Sequence, residues 1–515
     1  PDHVTADLLA GRRDLRALTT VTIDGEHAKD FDDAISIEEH PDGVTRLWVH
    51  IADVSAYVPW DSVLDLEARR RATSVYFPDR VIPMFPERLS NGICSLNPFE
   101  DRLTLTCQMD IDPQGHRRVY ELYPSVIRSD ARLTYTAVGR ILEQEDPELS
   151  QRHESLLGPL RAMGRLCKLL QTRRRERGSI DFDLPEPEIL LDLLGETTSI
   201  ISRERTIAHR LIEEFMLAAN ETVAEHLSRR ETPMLYRIHD RPDPEKLLNF
   251  SEVLSGFGHG LAVTATLAPK TLARLLETVK DRPEEGLINT LLLRSMKQAR
   301  YAVENVGHFG LASAHYTHFT SPIRRYPDLV IHRLIKASLG GGGLPVDRLE
   351  HLMPEIARTS SAQERVSMEA EREVIDLKKT RYMADKVGQE YDGIIAGVTQ
   401  YGFFVQLADI FVEGLVHMTA LEGDYYRYHE KQHALIGERH RRQYRLGDRV
   451  RVVVDRVDMI KRRVDFRLAE TADAALRPKG GTHAKTKPPA QSSEKPAGKT
   501  RRRSSRRGRS RSKTP

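Results

Sequence analysis

The sequence predicts an α+β body followed by a small all-β closed barrel and a disordered basic tail. Three observations predict it. Strand-like alternation dominates residues 21 to about 130, apolar residues at helical spacing take over between 151 and 387, and five short strands with glycine at their bends crowd into residues 388–470. A chain of 515 residues is too long for one core, and these pattern changes set its divisions: a linker at 1–20, the body at 21–387, the barrel at 388–470 and the tail at 471–515.

In the body, the segments RLWVHIADVSAYV, TSVYFP, RLTLTCQMDID and VYELYPSVIRSDARLTY read as strands separated by turn signals. Residues 151–177, 204–229, 284–303 and 345–387 read as helices, so strands come first and helices later. In the barrel, GQEYDGIIAGVTQYGFFVQLADIFVEGLVHM gives alternating strands with Phe403 and Val405 on one face and Phe404 on the other, and RLGDRVRVVVDRVDMIKRRVDFRL supplies two more. The insertion from Asp424 to Arg445 adds six Lys or Arg and four tyrosines, a composition that suits an RNA path better than a bare loop.

Charge is unevenly placed. Residues 477–515 hold fourteen Lys or Arg against one acid, Glu494, a local excess of +13, so a chain with a formal total of +3 carries −10 elsewhere. The tail has no aromatic residue and almost no aliphatic one, which predicts disorder; a solubilising extension would explain it, and the favoured reading is a polyelectrolyte arm that displaces counterions from nucleic-acid phosphates. A ribosome or an RNA-degradation complex is the partner expected for it. No apolar run approaches the ~20 residues of a membrane span. Cys94, Cys107 and Cys167 lack paired spacing, which argues against a disulfide framework or a zinc site and points to a reducing cytoplasm. The first residue is Pro1 and no signal-peptide pattern follows, so the chain reads as a fragment whose start lies upstream.

Four aspartates, Asp24, Asp30, Asp32 and Asp33, fall within ten positions of TVTIDGEHAKDFDDAISI. A solvated acidic turn, a calcium loop and a magnesium site compete to explain them. The calcium loop fails on spacing. Strand-like VTI and AISI flank the cluster, so the carboxylates sit on a turn between buried strands, where uncompensated anions are costly. Magnesium uses hard oxygen ligands, keeps several waters, and in pairs ~4 Å apart serves phosphodiester cleavage. In HYTHFTSPIRRYPDLVIHRLI, Ser321 reads as an N-cap with Pro322 at the first helical position, which puts Arg324 and Arg325 in the first turn, against the helix dipole. That arrangement suits a bound phosphate, and an ion pair to Asp328 or to the aspartate cluster explains it equally well.

The stretches TIDGEHAKDFDDAISI, SVYFPDRVIPMFPERLSNGICSL, RGSIDF and HFTSPIRRYPDLVIHRLI, in this order, resemble the RNB catalytic domain of the ribonuclease II and ribonuclease R family, over roughly residues 14–387. The segment with GxIxxVxxYGFFVxL and EGLVHM resembles an S1-type OB fold, and the tail and DYYRY insertion favour the ribonuclease R branch. The resemblance implies processive magnesium-dependent hydrolysis of single-stranded RNA from a free 3′ end to nucleoside 5′-monophosphates, with manganese as a substitute ion, by a monomeric protein in RNA turnover. It implies Asp24 and Asp33 as the most direct metal ligands, Asp30 as a supporting one and Asp32 as indispensable to hydrolysis. It assigns Arg324 to the scissile phosphate, Tyr76 to the terminal base and Phe182 to the far end of the base stack, with Arg325 beside Arg324. Tyr401, Phe404 and His417 occupy the RNA-facing positions of the barrel. Glu364, Glu369 and Glu371 read as a solvated helix face within reach of the site. The cold-shock domains that usually precede this body are not present in the sequence. The rival reading is an RNB-like protein that binds RNA and regulates it without cutting.

Overall fold

The computed structural model describes residues 3–469 except 183, 185, 193, 265–266, 283 and 430–432; the tail expected at 471–515 lies outside the described residues. The body is built on a seven-stranded sheet. Its strands are β1 (Arg13–Asp14), β2 (Val21–Asp24), β3 (Asp33–Glu39), β4 (Thr45–Ala52), β7 (Asp101–Ile111), β8 (Arg117–Arg128) and β9 (Ala131–Thr134), and the short hairpin β5 (Val75–Tyr76)–β6 (Val81–Ile82) stands outside it. The sheet order is β1-β8-β7-β4-β3-β2-β9, antiparallel through the middle, with parallel pairs at both edges. The central strands are buried along most of their length, and the polar residues that alternate along β7 are accommodated there by hydrogen bonds, Thr104 and Thr106 to Ser125 and Thr106 also to His50.

The helices are α1 (Ala6–Leu9), α2 (Val63–Arg71), α3 (Tyr135–Glu143), α4 (Pro147–Arg152), α5 (Leu157–Arg177), α6 (Ile207–Ser228), α7 (Pro244–Gly256), α8 (Pro269–Val279), α9 (Glu285–Ser295), α10 (Tyr326–Ser338) and α11 (Val346–Ala384). One core joins the sheet to α6, α10 and the first third of α11 through Phe215, Phe319, Leu329, Ile331 and Ile356. A separate cluster of Leu247, Phe250, Leu272, Leu276, Ile288 and Leu292 holds α7, α8 and α9 together. The hairpin β10 (Glu186–Leu191)–β11 (Thr197–Arg203) and the pair β12 (Tyr236–Ile238)–β13 (Arg300–Ala302) complete the body.

The barrel closes in the order β14-β15-β16-β21-β20, from β14 (Glu390–Thr399), β15 (Gly402–Leu407), β16 (Glu413–His417), β20 (Arg449–Asp458) and β21 (Arg463–Leu468). Phe403 and Val405 point into its core and Phe404 points out, as alternation requires. Gly402 sits where a Cβ would meet the Val416 carbonyl at 2.3 Å, which is what lets β15 and β16 approach so closely. Between β16 and β20 the insertion folds into its own sheet, β17 (Tyr426–His429), β18 (Ala434–Gly437) and β19 (Gln443–Arg445).

Four local expectations change. The helix expected over 284–303 ends at Ser295, because Arg300–Ala302 pairs with Tyr236–Ile238 and buries Tyr301. Helices α2 and α3 interrupt or follow a stretch that reads as strands, and α7 and α8 fill a region without a clear pattern. Of the insertion's four tyrosines, Tyr426 and Tyr444 are buried in the barrel core and cannot face RNA. The segment 1–20 is tied to the body: β1 adds an edge strand, and Arg12 donates to Asp53 at 2.6 Å.

That last contact belongs to a buried triad in which Lys336 of α10 also reaches Asp53 at 2.6 Å. The two cations hold the Asp53 carboxyl below its usual range despite complete burial. A depressed carboxyl stabilises the fold above its unfolded pKa of about 4 and loses that effect as pH falls further. Arg12→Met should therefore cost about 2 kcal/mol at pH 7 by urea unfolding, and less at pH 3. An unchanged midpoint at pH 7 would return residues 1–20 to the status of a linker.

Candidate active site

β2 ends at Asp24 and β3 begins at Asp33, and the two strands pair only at Val21 and Ile35 before they splay. The loop between them is pinned from both sides. Arg132 of β9 donates to the carbonyls of Gly25 and Glu26 at 2.7 Å, while the Ser95 hydroxyl donates to the Lys29 carbonyl and accepts from Phe31 N–H. Phe31 is buried, and the Asp32 carbonyl accepts from Ala52 N–H. This local geometry turns the Asp32 side chain inward.

There Asp32 meets the turn that precedes α10. Its Oδ1 accepts from Ile323 N–H at 2.9 Å and its Oδ2 from Arg324 Nε at 3.0 Å. Helix α10 starts at Tyr326, with Pro327 in its first turn, rather than after a Ser321 cap: residues 321–325 form a separate turn in which Arg325 N–H donates to the Ser321 carbonyl. The reason is Asp328, a fully buried acid in the first turn that suits the helix dipole. Asp328 accepts from Ser321 N–H at 2.8 Å and from Arg325 at 2.7 and 3.0 Å. The two arginines therefore diverge: Arg325 pairs with Asp328, and Arg324 alone faces the aspartates, its side chain 45% exposed.

The other acids are left with less. Asp30 accepts the Tyr76 hydroxyl at 2.7 Å. Asp24 Oδ2 is buried without a hydrogen-bond partner. Burial, with Asp30 adding and Arg324 opposing, pushes the Asp24 carboxyl up to about 6. Burial also raises Asp32 to about 7 against the pull of Arg324 and the Ile323 N–H, and burial together with Asp24 and Asp32 raises Asp33 well above the carboxylate range. Among the described residues no three acidic, histidine or cysteine side chains converge as a complete ligand cage. What the site offers is a partnerless carboxylate oxygen on Asp24 beside a buried, repelled Asp33, with Asp32 and Asp30 engaged by Arg324 and Tyr76. That donor set fits a hard divalent cation that takes its remaining oxygens from water or phosphate. Tyr135, the first residue of α3, borders the same acids, stacks on His209 at 4.1 Å, and has its phenol pushed upward by burial and by Asp33 and Asp24.

Tyr76 is joined to this centre through the backbone as well. Ser74 N–H donates to the Arg324 carbonyl at 3.0 Å and Tyr326 N–H to the Ala72 carbonyl, so the chain leading to β5 and the arginine turn form one unit. Tyr76 N–H donates to Glu371 of α11 at 2.9 Å. Glu371 is thus a site residue, and Glu364 makes a bidentate pair with Arg237 at 2.7 and 2.9 Å; of the three acids expected on a solvated face, only Glu369 is exposed. Phe182 lies half-buried against the α7–α9 cluster. On the barrel, Tyr401 and Phe404 meet edge to face at 6.3 Å, and His417 lies across from Gly402, on the same outward face as Phe404. Sequence reasoning missed Arg132, Tyr135 and the Ile323 N–H because their roles arise from pairings across the fold; the arginine two positions before a strand end gave no local signal.

Comparison with known proteins bears on this geometry. The RNB domain family matches residues 12–341 and the S1 RNA binding domain residues 384–468. Ribonuclease R of Aquifex aeolicus is 47% identical over 470 residues, covering 91% of this chain and 66% of its own, and ribonuclease R of Escherichia coli is 45% identical over 482 residues, covering 92% and 59%. The chain thus spans about two thirds or less of the length of these relatives. The structure of Mycoplasma genitalium RNase R in complex with ribose-methylated single-stranded RNA superposes with a TM-score of 0.85 at 33% identity, over 90% of this chain and 73% of that one.

Because the folded state holds the Asp24 carboxyl near 6 against about 3.9 unfolded, it binds the proton more tightly, and its stability falls as pH rises between those values. In chelator, Asp24→Asn should be more stable than the parent by about 1 to 3 kcal/mol at pH 8, with the gain vanishing near pH 4 in urea unfolding. A loss of stability at pH 8 would mean that Asp24 is compensated within the protein itself.

Proposed function

The chain belongs to the RNB domain family, and on that premise we propose that it is a 3′–5′ exoribonuclease that hydrolyses single-stranded RNA from a free 3′ end to nucleoside 5′-monophosphates. The observation that carries this reading is the clamp on Asp32, whose two oxygens take Ile323 N–H and Arg324 Nε, with Asp33 buried next to it in the chain and the Asp24 Oδ2 buried without a partner. With Nε committed to Asp32, the guanidinium of Arg324 keeps its terminal N–H groups for the oxygens of a scissile phosphate, a charge-assisted and directional contact. Magnesium, with manganese as a substitute, would be held by Asp24 and Asp33 with Asp30 in support, and when bound, singly or as a pair, it supplies charge neutralisation and an activated water.

The chain's own residues do the rest. Tyr76, its hydroxyl fixed by Asp30 and its backbone by Glu371, presents a ring on which the terminal base can stack, worth about 1–3 kcal/mol and indifferent to base identity. Phe182 closes the far end of the stacked bases. Arg325 acts one step back, holding the turn that aims Arg324. Tyr401, Phe404 and His417 guide the strand across the barrel. The basic tail adds sequence-blind affinity for RNA or for an RNA-rich partner such as the ribosome or a degradation complex, and the protein works as a cytoplasmic monomer in RNA turnover. A non-cutting RNB-like regulator would have no need of this carboxylate cluster, and this chain keeps all four of its aspartates.

Asp32→Asn should lower cleavage by roughly 10³-fold, in the range of other preorganised electrostatic groups, while RNA affinity stays within about twofold. A 5′-labelled and a 3′-labelled oligoribonucleotide, each with and without magnesium, read polarity and ion dependence together: the 3′ label should leave at once as mononucleotide. Internal fragments from the 3′-labelled strand, or full cleavage in chelator, would overturn the reading. Tyr76→Ala should lengthen the smallest end product, and an unchanged ladder would remove Tyr76 from the terminal stack.

A further inference from the structure

A cavity of about 210 Å3 opens between the C-terminal end of α5, the start of α6, and α8 with α9. None of Asp24, Asp30, Asp32, Asp33, Arg324 and Tyr76 lines it. Six Lys or Arg surround it against three acids. Some of these cations are already committed: Arg205 pairs with Asp181 and Glu213, and Lys270 Nζ donates to the Glu176 carbonyl at 2.6 Å. Arg175, Arg274 and Lys280 have no hydrogen-bond or ion-pair partner among the described residues, and all three are exposed. The cavity wall also carries Asn289, only 3% exposed, whose Oδ1 is buried without a hydrogen-bond partner. A buried amide oxygen left unpaired costs free energy that a donor arriving from the cavity would recover.

The combination selects a ligand. Three uncommitted cations call for an anion, and guanidinium groups match phosphate oxygens in particular. The acceptor on Asn289 calls for a hydroxyl or amino hydrogen close to that anion. The volume falls below the roughly 300 Å3 at which pockets for larger organic ligands begin, so it holds a phosphate and a sugar and leaves a base outside. We propose that this cavity is a second nucleotide-binding site, distinct from the acidic centre, which takes a ribose-phosphate unit with the phosphate on Arg175, Arg274 and Lys280 and a ribose hydroxyl donating to Asn289 Oδ1. A free sugar phosphate or mononucleotide and an internal unit of an RNA strand present the same chemistry.

The test uses the whole chain and two ligands. Ribose 5-phosphate is titrated calorimetrically in chelator, and an unmodified oligoribonucleotide is titrated in an Asp32→Asn background. The double variant Arg274→Glu/Lys280→Glu changes exposed, unpartnered side chains, and it should weaken at least one ligand about tenfold or more. Weakening of ribose 5-phosphate assigns the site to free nucleotides, and weakening of the oligoribonucleotide alone assigns it to the strand. Asn289→Leu should abolish the preference for ribose 5-phosphate, or for the oligomer, over inorganic phosphate. If both affinities stay within about twofold in the double variant, the proposal is overturned. Because cleavage at saturating RNA is read separately and should not change in the double variant with Asp32 intact, that failure leaves the hydrolytic reading standing.

Discussion

One buried carboxylate, Asp32, joins two parts of the chain that are almost three hundred residues apart in sequence. Its backbone closes the β3–β4 end of the sheet and its side chain takes the Ile323 N–H and the Arg324 guanidinium. The Arg324 carbonyl then fixes the chain that leads to Tyr76, and Tyr76 in turn binds Asp30 and Glu371. Sheet, arginine turn, aromatic hairpin and α11 are thereby one hydrogen-bonded assembly. Such preorganisation matters because groups aimed in advance at a developing charge need no reorganisation when it forms.

The burial of Asp24 and Asp33 is the counterpart of that order. Local rules favour pairing every buried charge, and here the fold leaves two carboxylates pressed together in a low-dielectric pocket, with burial as the largest cause of their raised pKa values. Ile23, Phe31, Ile35 and Ile51, buried in one core, adjoin these acids along the chain or across the strand pair. Departures from local consistency of this kind concentrate where a ligand supplies the missing partner.

What the sequence made legible follows from the range of the physics involved. Strands, the barrel and the acidic cluster are written locally: alternation at Phe403, Phe404 and Val405, a dense group of aspartates, glycine at the bends. The resemblance of four separated stretches to the RNB family agrees with the family match over residues 12–341. Long-range pairing was not legible. Nothing near Arg300 announces that it will join a strand to Tyr236–Ile238 instead of prolonging α9, and nothing near Glu371 announces Tyr76. Proline helped at α10 only in part, since Pro322 and Pro327 both qualify as a first-turn residue and the choice between them is made by buried Asp328.

Charge balance sharpens what the barrel contributes. Residues 388–470 hold thirteen Lys or Arg against thirteen Asp or Glu, and the body before them is net acidic, so neither presents an overall attraction to a polyanion. On the proposed reading, affinity for a single strand at the barrel would come from short-range contacts, for which the outward face of β15 and β16 carries Tyr401, Phe404 and His417. Helix α11 gives those contacts a fixed relation to the acidic centre. It spans about 58 Å at 1.5 Å per residue, carries Glu371 to Tyr76 two thirds of the way along, and ends with Met383 in the barrel core, where Ile200 of the β10–β11 hairpin also packs. Arg462 to Glu373 and Lys379 to the Phe411 carbonyl brace the same junction. On the hydrolytic reading, a strand held by stacking on the barrel and by Tyr76 at the site is held near Glu371 and near the C-terminal end of the same helix, and the spacing between the two grips is set by helix geometry, independent of sequence in the RNA.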